Sequence, residues 1–199
     1  MKEFILRARK ARTNPDINMN SLPKEGKMDA VCAAVSNTLW VSGDIRRDTL
    51  IHAVLEGPDN GPKTITFTGN EIRGLRSDER SIASYVANAL QKGAFLKLNE
   101  RAVVRTGISV AKKSFERLLW EKSKEYKQII FLDKGGRDIR NFHFDKNFLI
   151  IFGSAEGLPQ KTLKMISEMN AERISLGPRM LFAAHCPIIV HNELDRRNV

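Results

Sequence analysis

The sequence predicts an α/β fold, with a mostly parallel sheet covered by helices on both faces. Two short segments, IIFL (129–132) and FLIIF (148–152), are continuously apolar, as parallel strands are when both faces of their sheet are buried. Strand-like and helix-like segments alternate through the C-terminal half, which is typical of α/β chains. With 199 residues the chain is long enough for one full core, and residues 1–199 are expected to form a single domain.

The N-terminal half is predicted to begin with a strand over residues 4–10 and a loop over residues 13–26. A helix is predicted over residues 27–42, because apolar residues recur there at three- and four-residue spacing: Met28, Val31, Cys32, Val35 and Leu39. Two β-rich segments, 48–57 and 63–69, are separated by the turn-forming sequence EGPDNGP, which predicts a hairpin or a tight connection.

Two more helices are predicted before the C-terminal half. The first runs from a cap at Ser77 or Asp78 to Gly93, and acidic residues occupy its first turn, where the helix dipole favours anions. The second begins at a Ser109 cap and places four apolar residues on one side: Ala111, Phe115, Leu118 and Leu119.

The C-terminal half is predicted to alternate regularly. Its elements are strand 128–136, strand 147–157, helix 159–171, strand 172–178 and a final apolar helix. Pro187 lies within that last helix. Because proline lacks an N–H and clashes with the preceding turn, Pro187 is expected to kink or break the helix.

Three strands in this half end at glycine-bearing loops, namely FLDKGG (131–136), FGSAEGLP (152–159) and SLGPRM (175–180). Open α/β sheets bind ligands outside the carboxyl ends of their strands, and glycine lets a backbone approach a ligand closely. Three such loops predict a small-molecule site built largely from backbone groups. The alternative is that each glycine merely ends a strand.

The charge balance indicates a nucleic-acid partner. Lys and Arg number 33 against 23 Asp and Glu, which gives a formal net charge of +10. A basic surface attracts nucleic acid through its phosphates, although charge alone does not separate RNA from DNA. A basic composition without such a partner is the alternative.

Several classes of protein are excluded by pattern. Cys32 and Cys186 are too few for a disulfide framework, and no zinc spacing, HExxH or acidic calcium loop predicts a metal. The GxGxxG and GxxxxGK[ST] nucleotide motifs are absent. No apolar segment reaches the roughly 20 residues of a membrane span. The N-terminus lacks the features of a signal peptide, so a cytoplasmic location without a membrane partner is expected.

The segment SLGPRMLFAAHCPIIVHNELDRR (175–197) resembles the C-terminal signature of the archaeal tRNA pseudouridine-54 N1-methyltransferases, which belong to the SPOUT superfamily. Four other blocks resemble that family in the same order: LPKEGKMDAVCAAVSNTLWVSGDIRRDT, SDERSIASYVANAL, FLDKGGRDIR and IIFGSAEGLP. The resemblance covers nearly the whole chain, and the combination of blocks is specific.

The resemblance implies a SPOUT-type α/β fold with a C-terminal trefoil knot, and places the knot and the methyl-donor site within residues 128–199. The donor would be S-adenosylmethionine, with S-adenosylhomocysteine as product. The resemblance implies that the following residues contact the donor: Leu132, Gly153, Gly157, Ser175, Leu176, Gly177, Pro178, Arg179, Met180, Leu181 and Cys186.

The reaction implied is methyl transfer to N1 of pseudouridine 54 in the T-loop of tRNA, which gives N1-methylpseudouridine. Three carboxylates are candidates to accept the N1 proton: Asp44, Asp133 and Asp138. Candidates for phosphate contacts flank them: Arg46, Arg47, Lys134, Arg137 and Arg140. The N-terminal basic residues are candidates to extend that surface: Arg7, Arg9, Lys10 and Arg12.

The family is dimeric, so the resemblance implies a homodimer. The apolar run MLFAAHCPIIV (180–190) is then either a dimer face or a core helix. Two other functions stay open. One is a related SPOUT methyltransferase acting on pseudouridine in rRNA, or on another RNA nitrogen or a ribose 2′-OH. The other is a basic RNA-binding homologue without catalysis, against which the three intact loops argue.

Overall fold

The structure is a computed structural model that describes residues 1–154 and 157–199. Its strands are β1 (Lys2–Ala8), β2 (Trp40–Val41), β3 (Asp44–Ile45), β4 (Thr49–Leu55), β5 (Lys63–Thr68), β6 (Arg101–Arg105), β7 (Ile108–Ala111), β8 (Gln128–Asp138), β9 (Phe148–Gly153) and β10 (Glu172–Ser175). Its α-helices are α1 (Met28–Leu39), α2 (Glu79–Gly93), α3 (Phe115–Lys122), α4 (Gln160–Glu168) and α5 (Cys186–Arg196). None of these helices is long and apolar enough to cross a membrane.

Eight strands form one sheet in the order β10-β8-β9-β1-β4-β5-β7-β6. The five strands from β10 to β4 run parallel to one another, and the hairpin partners β5, β7 and β6 continue the sheet antiparallel. β1 is central, because Phe4 lies beside Ile51 of β4 on one side and Ile150 of β9 on the other. The predicted α/β class, the mostly parallel sheet and the β4–β5 hairpin are confirmed.

Side chains alternate across the sheet and bury two apolar layers. Phe4 and Leu6 of β1 belong to the layer that includes α1, α2 and α5, whereas Ile5 belongs to the layer that includes α3 and α4. β9 repeats this alternation with Ile150 and Ile151. Each such fully buried side chain contributes roughly 1.5–3 kcal/mol to folding. Helices therefore cover both faces of the sheet, as the continuous apolar strands predict.

α5 packs against α1 and fixes the chain after β10. The His191 Nε2 lies 2.9 Å from the carbonyl oxygen of Thr38. Arg46 donates two hydrogen bonds, 2.8 and 2.6 Å long, to the carboxylate of Asp195. At the end of the helix, Arg197 donates to the carbonyl oxygen of Phe142. These contacts tie the C-terminal segment to three separate parts of the fold.

The helix predicted from Ser109 is wrong at its start. Residues Ile108–Ala111 form β7, a buried strand between β5 and β6, and α3 begins only at Phe115 after a Ser114 cap. The turn between β6 and β7 contains Gly107 at φ +79°, where a glycine is favoured. Ala111 of β7 lies at helical spacing from Phe115 of α3, and strand pairing overrides that spacing.

The helix type changes next to Pro187, but the expectation that Pro187 lies within a longer apolar helix is wrong. α5 begins at Cys186, so Pro187 occupies the first helical turn, where its missing N–H would have no helical partner. The apolar run 180–190 is not one helix, because a separate 3-10 turn, Ala183–His185, precedes α5. Proline therefore starts this helix and does not interrupt it.

Candidate functional site

Residues of the three glycine-bearing segments meet at one cavity of about 340 Å³, formed by the middle of β8, the end of β9 and the loop after β10. The expectation that FLDKGG ends its strand is wrong, because β8 continues through this segment to Asp138. Nine of the eleven residues predicted to contact a donor line the cavity: Leu132, Gly153, Gly157, Leu176, Gly177, Arg179, Met180, Leu181 and Cys186. Ser175 and Pro178 belong to the same loop but do not line the cavity. Its volume lies within the range that small-molecule sites occupy, about 300–1,000 Å³.

Three glycines contribute backbone to the cavity wall: Gly153, Gly157 and Gly177. A Cβ on Gly153 would lie 2.8 Å from the carbonyl carbon of Gly157, so these two residues of one loop contact each other through their main chains. Gly157 has φ +66° and Gly177 has φ +134°, conformations that L-residues rarely adopt. A Cβ on Gly177 would meet no described heavy atom within 4 Å. The glycines are therefore required by conformation and by contact, and not only as strand ends.

Ser175 shapes the loop after β10. Its hydroxyl donates to the carbonyl oxygen of Gly177 at 3.0 Å and accepts from the Gly177 N–H at 3.2 Å. Behind it, β10 lies close to β8, since a Cβ on Gly136 would come within 2.6 Å of the Ile174 carbonyl carbon. Ser175 thus acts on the cavity through the backbone of Gly177.

Cys186 closes the cavity from the start of α5. Burial raises the pKa of its thiol to about 11, so the thiol is protonated at neutral pH. Its Sγ lies 3.6 Å from the carbonyl oxygen of Phe182. A protonated, hydrogen-bonded thiol suits a packing residue better than a nucleophile.

The three candidate carboxylates lie in different places. Asp133 lines the cavity, where burial favours its neutral form but Arg173 and the Gly135 N–H outweigh burial and lower the pKa of the carboxyl. Asp138 begins the turn after β8, and hydrogen bonds from Arg140 lower its pKa to about 2.

Asp44 lies in β3 at a separate, open surface groove. The N–H of Ile45 is the main cause of its lowered pKa, and Arg47 adds to it. Of the three candidates, Asp133 alone is at the cavity.

The predicted phosphate-binding residues are also dispersed. Lys134 lines the cavity, and Arg137 is exposed on the same strand. Arg140 pairs with Asp138, and Arg46 pairs with Asp195. Arg47 donates to the carbonyl oxygens of Gly69 and Ile72, so part of its guanidinium is used within the fold.

Arg7 does not belong to a basic surface, and its prediction as such is wrong. It is 8% exposed and its guanidinium bonds to Glu56 and Glu116 at 2.8 Å each. β1 lies in the middle of a sheet covered on both faces, which buries its alternate side chains. The other basic residues of this segment are exposed or half-buried: Arg9, Lys10 and Arg12.

The cavity also includes residues that the sequence did not single out: Phe152, Ser154, Leu158, Leu163 and Ala183. Phe152 ends β9 directly before Gly153, so the apolar strand end itself was a usable signal. Leu163 comes from α4, and the helical periodicity of that segment gave no indication that one residue would face the cavity. Among the described residues, no group of three or more His, Cys, Asp or Glu could hold a metal.

Several known proteins are similar in sequence to this chain along nearly its whole length. The tRNA (pseudouridine(54)-N(1))-methyltransferase of Methanococcus maripaludis strain C5 is 40% identical over 98% of this chain and 99% of its own. The enzyme of that name from Methanocaldococcus jannaschii is 38% identical over 100% and 98%. A "Putative pseudouridine methyltransferase" of the bacterium Photobacterium profundum is 33% identical over 98% of each chain.

The fold has a solved counterpart in Nep1 of Archaeoglobus fulgidus, whose crystal structure holds S-adenosylhomocysteine. It covers 99% of this chain and 98% of its own with a TM-score of 0.60 and 12% sequence identity, which shows a shared fold. A family model described as "Putative SAM-dependent RNA methyltransferase" matches residues 1–199. The chain belongs to this family of SAM-dependent RNA methyltransferases.

Proposed function

We propose that the protein transfers a methyl group from S-adenosylmethionine to N1 of pseudouridine 54 in tRNA. The names of relatives at about 40% identity over the full length support this substrate. The observation that carries the proposal is the cavity itself, since three separate segments meet there and two of them contribute glycine backbone to its wall. The family match along residues 1–199 supports one methyltransferase domain.

The cavity suits an adenosine-containing donor. Leu132, Leu176 and Leu181 offer apolar contact for a flat base, and Gly153 and Gly177 add wall positions that carry no side chain. When bound, the sulfonium supplies an electrophilic methyl group. The residues that would hold the donor are the nine predicted ones in the cavity wall, with Ser175 and Pro178 shaping the loop.

Asp133 is the carboxylate we propose to face the N1–H of the target base. Its low pKa keeps it ionised at neutral pH, so its role would be to orient the N1–H and to stabilise positive charge as the N1–C bond forms. Asp44 and Asp138 are the weaker candidates, because neither lines the cavity. As the N1–C bond forms, the N1 proton would pass to the Asp133 carboxylate and from there to water. Because a paired carboxylate is a weak general base, the reaction would rely mainly on positioning.

Lys134 and Arg137 would hold the RNA backbone next to the cavity, and Arg140, Arg46 and Arg47 would extend the contact. Since these last three already pair within the fold, their share of the affinity is expected to be smaller. The tRNA substrate implies work in the cytoplasm.

We also propose a homodimer and a knotted C-terminus. Met180 and Phe182 are 79% and 75% exposed, and Ile188 and Ile189 of α5 are also exposed, so the segment after β10 leaves four large apolar side chains in contact with solvent. The chain after β10 lines the cavity beside the loops of β8 and β9 and then packs on α1. A segment that passes between these loops is compatible with a trefoil knot.

Two measurements test the proposed function. Calorimetric titration with S-adenosylmethionine should give micromolar binding that Gly177→Asp abolishes, because aspartate adds bulk and charge beside the cavity at an unfavourable φ. Label transfer to tRNA that carries pseudouridine 54, but not to tRNA with uridine 54, should then follow.

Each alternative has a distinct outcome in these assays. Transfer to an rRNA fragment and not to tRNA would indicate the related methyltransferase. Binding of tRNA without any binding of the donor would indicate a non-catalytic RNA-binding homologue.

A further inference from the structure

A second groove lies far from the cavity, between α2 and β6. It has a volume of about 500 Å³ and is lined by Tyr85, Asn88, Gln91, Lys92, Phe95, Val104, Arg105 and Ile108. β6 is the edge strand of the sheet, six strands from β8, which contributes Leu132, Asp133 and Lys134 to the cavity. At about 4.8 Å per strand the two sites are roughly 30 Å apart.

Phe95 exposes its ring almost completely. It is 95% exposed, and Leu98, three residues later, is 73% exposed. Single exposed apolar residues are common, but a fully exposed aromatic ring that lines a groove is a feature of binding surfaces. Because the exposed Phe95 ring adds no burial energy to the fold, we explain its exposure by contact with a binding partner.

The groove combines rings, amides and cations. Tyr85, Asn88 and Lys92 lie at helical spacing on one face of α2, and the Arg105 guanidinium lies 5.6 Å from the Tyr85 ring centre. No carboxylate is among the described residues that line the groove. Unpaired RNA bases are recognised by such a set, because rings stack on the base, amides bond to its edge and cations hold phosphate.

The surrounding charge also favours an anionic partner. Residues 91–113 contain six Lys or Arg and one acidic residue, Glu100. A second copy of this chain, with its net charge of +10, would bring like charges together here. An RNA partner would stack a base on the exposed Phe95 ring and would neutralise the excess of positive charge with its phosphates.

We propose that the α2–β6 groove binds an unpaired nucleotide of the tRNA outside the T-loop, with the base stacked on Phe95 and the phosphate held by Lys92 and Arg105. This inference rests on the proposed function. Because the groove is roughly 30 Å from the cavity, a full-length tRNA would reach both sites, whereas a minimal T-stem hairpin would end before the groove. The groove would therefore select whole tRNA over isolated loops.

The test compares methylation of full-length tRNA and of a T-stem hairpin by Phe95 variants. Phe95→Ala and Phe95→Leu should raise the KM for tRNA about tenfold, since stacking on one base is worth about 1–3 kcal/mol, and should leave the KM for the hairpin unchanged. Phe95→Trp should stay near wild type because it keeps a ring. Arg105→Gln should also raise the KM for tRNA, and the exposed Lys146→Gln is the control for loss of one charge.

Three results would overturn the inference. These are an unchanged KM for tRNA in Phe95→Ala, an equal rise for tRNA and hairpin, or wild-type behaviour of Phe95→Leu, which would indicate apolar contact without stacking. If the wild type methylates neither RNA, the proposed function fails independently. Fluorescence anisotropy with labelled tRNA then tests the groove without the reaction. If the groove binds tRNA, Phe95→Ala weakens binding about tenfold and Lys146→Gln does not.

Discussion

His191 makes the docking of α5 sensitive to acid. Its ring is buried between α5 and α1 and packs 5.2 Å from the ring of Phe4. Burial first, and then the positive charge of Arg46, lower its pKa from 6.5 to about 3, although the bond to the Thr38 carbonyl opposes the shift. Its Nδ1 is buried without a hydrogen-bond partner among the described residues. The folded protein therefore holds a neutral imidazole.

The shift predicts a specific loss of stability. Between pH 6.5 and about 3 the unfolded chain binds a proton at His191 that the folded chain excludes, so the free energy of unfolding falls as the pH drops through this range. One pKa unit corresponds to about 1.4 kcal/mol, which gives a loss of about 3 kcal/mol at pH 4.5 and at most about 5 kcal/mol over the whole range.

His191→Gln is the variant that isolates this effect, because its amide can still donate to the Thr38 carbonyl but does not titrate. Urea unfolding followed by tryptophan fluorescence, at one protein concentration, gives the free energy at pH 7 and pH 4.5. The variant should gain about 3 kcal/mol relative to wild type between these two values. Glu3, whose pKa is lowered from 4.5 to about 2, loses its contribution only below this window.

The exposed His143→Gln serves as the matched control and should follow the wild-type profile. Parallel profiles for wild type and His191→Gln would refute the reasoning, because they would mean that the buried imidazole accepts a proton without cost. A loss of stability that wild type and His191→Gln share below pH 4.5 would come from the carboxylates that both proteins contain.

Three other substitutions test the site and its support. Gly153→Ala should weaken donor binding at least tenfold in calorimetry, because the new Cβ would lie 2.8 Å from the backbone of Gly157 and would displace this loop of the cavity wall. Arg7→Met should lower the free energy of unfolding by roughly 3 kcal/mol in urea, because it leaves the Glu56 carboxylate, 16% exposed, without its charge partner. Asp133→Asn should lower kcat at least tenfold with donor affinity nearly unchanged, whereas Asp138→Asn, which also loses an arginine-paired carboxylate, should not.

Contrary results would be equally clear. Wild-type donor affinity in Gly153→Ala would mean that the loop backbone does not touch the donor. If Arg7→Met has the wild-type free energy of unfolding, the attraction within the buried ion pairs only compensates the cost of removing their charges from water. Equal loss of kcat in both aspartate variants would remove Asp133 from the proposed role and leave the N1 proton to solvent.

Much of this architecture follows from local signals in the sequence. The apolar runs of β8 and β9 predict strands buried on both faces, and the glycines after them predict that backbone would line a site. Parallel strands place their carboxyl ends at one edge, so the meeting of the three loops is a consequence of topology. Gly177 is predictable by the same logic, because its φ of +134° suits glycine alone.

Other features depend on pairing partners that sequence periodicity does not report. β7 has four residues, and the spacing from its last residue, Ala111, to Phe115 is that of a helix. The segment is nevertheless a strand, because it pairs with β5 and β6. The sequence alone predicts Arg7 to be a surface charge, because its burial depends on the position of β1 between β4 and β9. The positions of Asp44 and Asp133 relative to the cavity depend on the whole chain, so sequence alone could not rank them.

The position of β1 has a consequence for synthesis of the protein. β1 is made first among the strands, yet its edge partner Phe148 follows Lys2 by 146 residues. At about 5–20 residues per second, a ribosome takes roughly 10–30 s to make that partner. During this time β1 and β4 present an open, strongly apolar edge on which other nascent chains can pair. A slow codon run after β4 would lengthen this exposure, and chaperone demand during translation should track the arrival of β9.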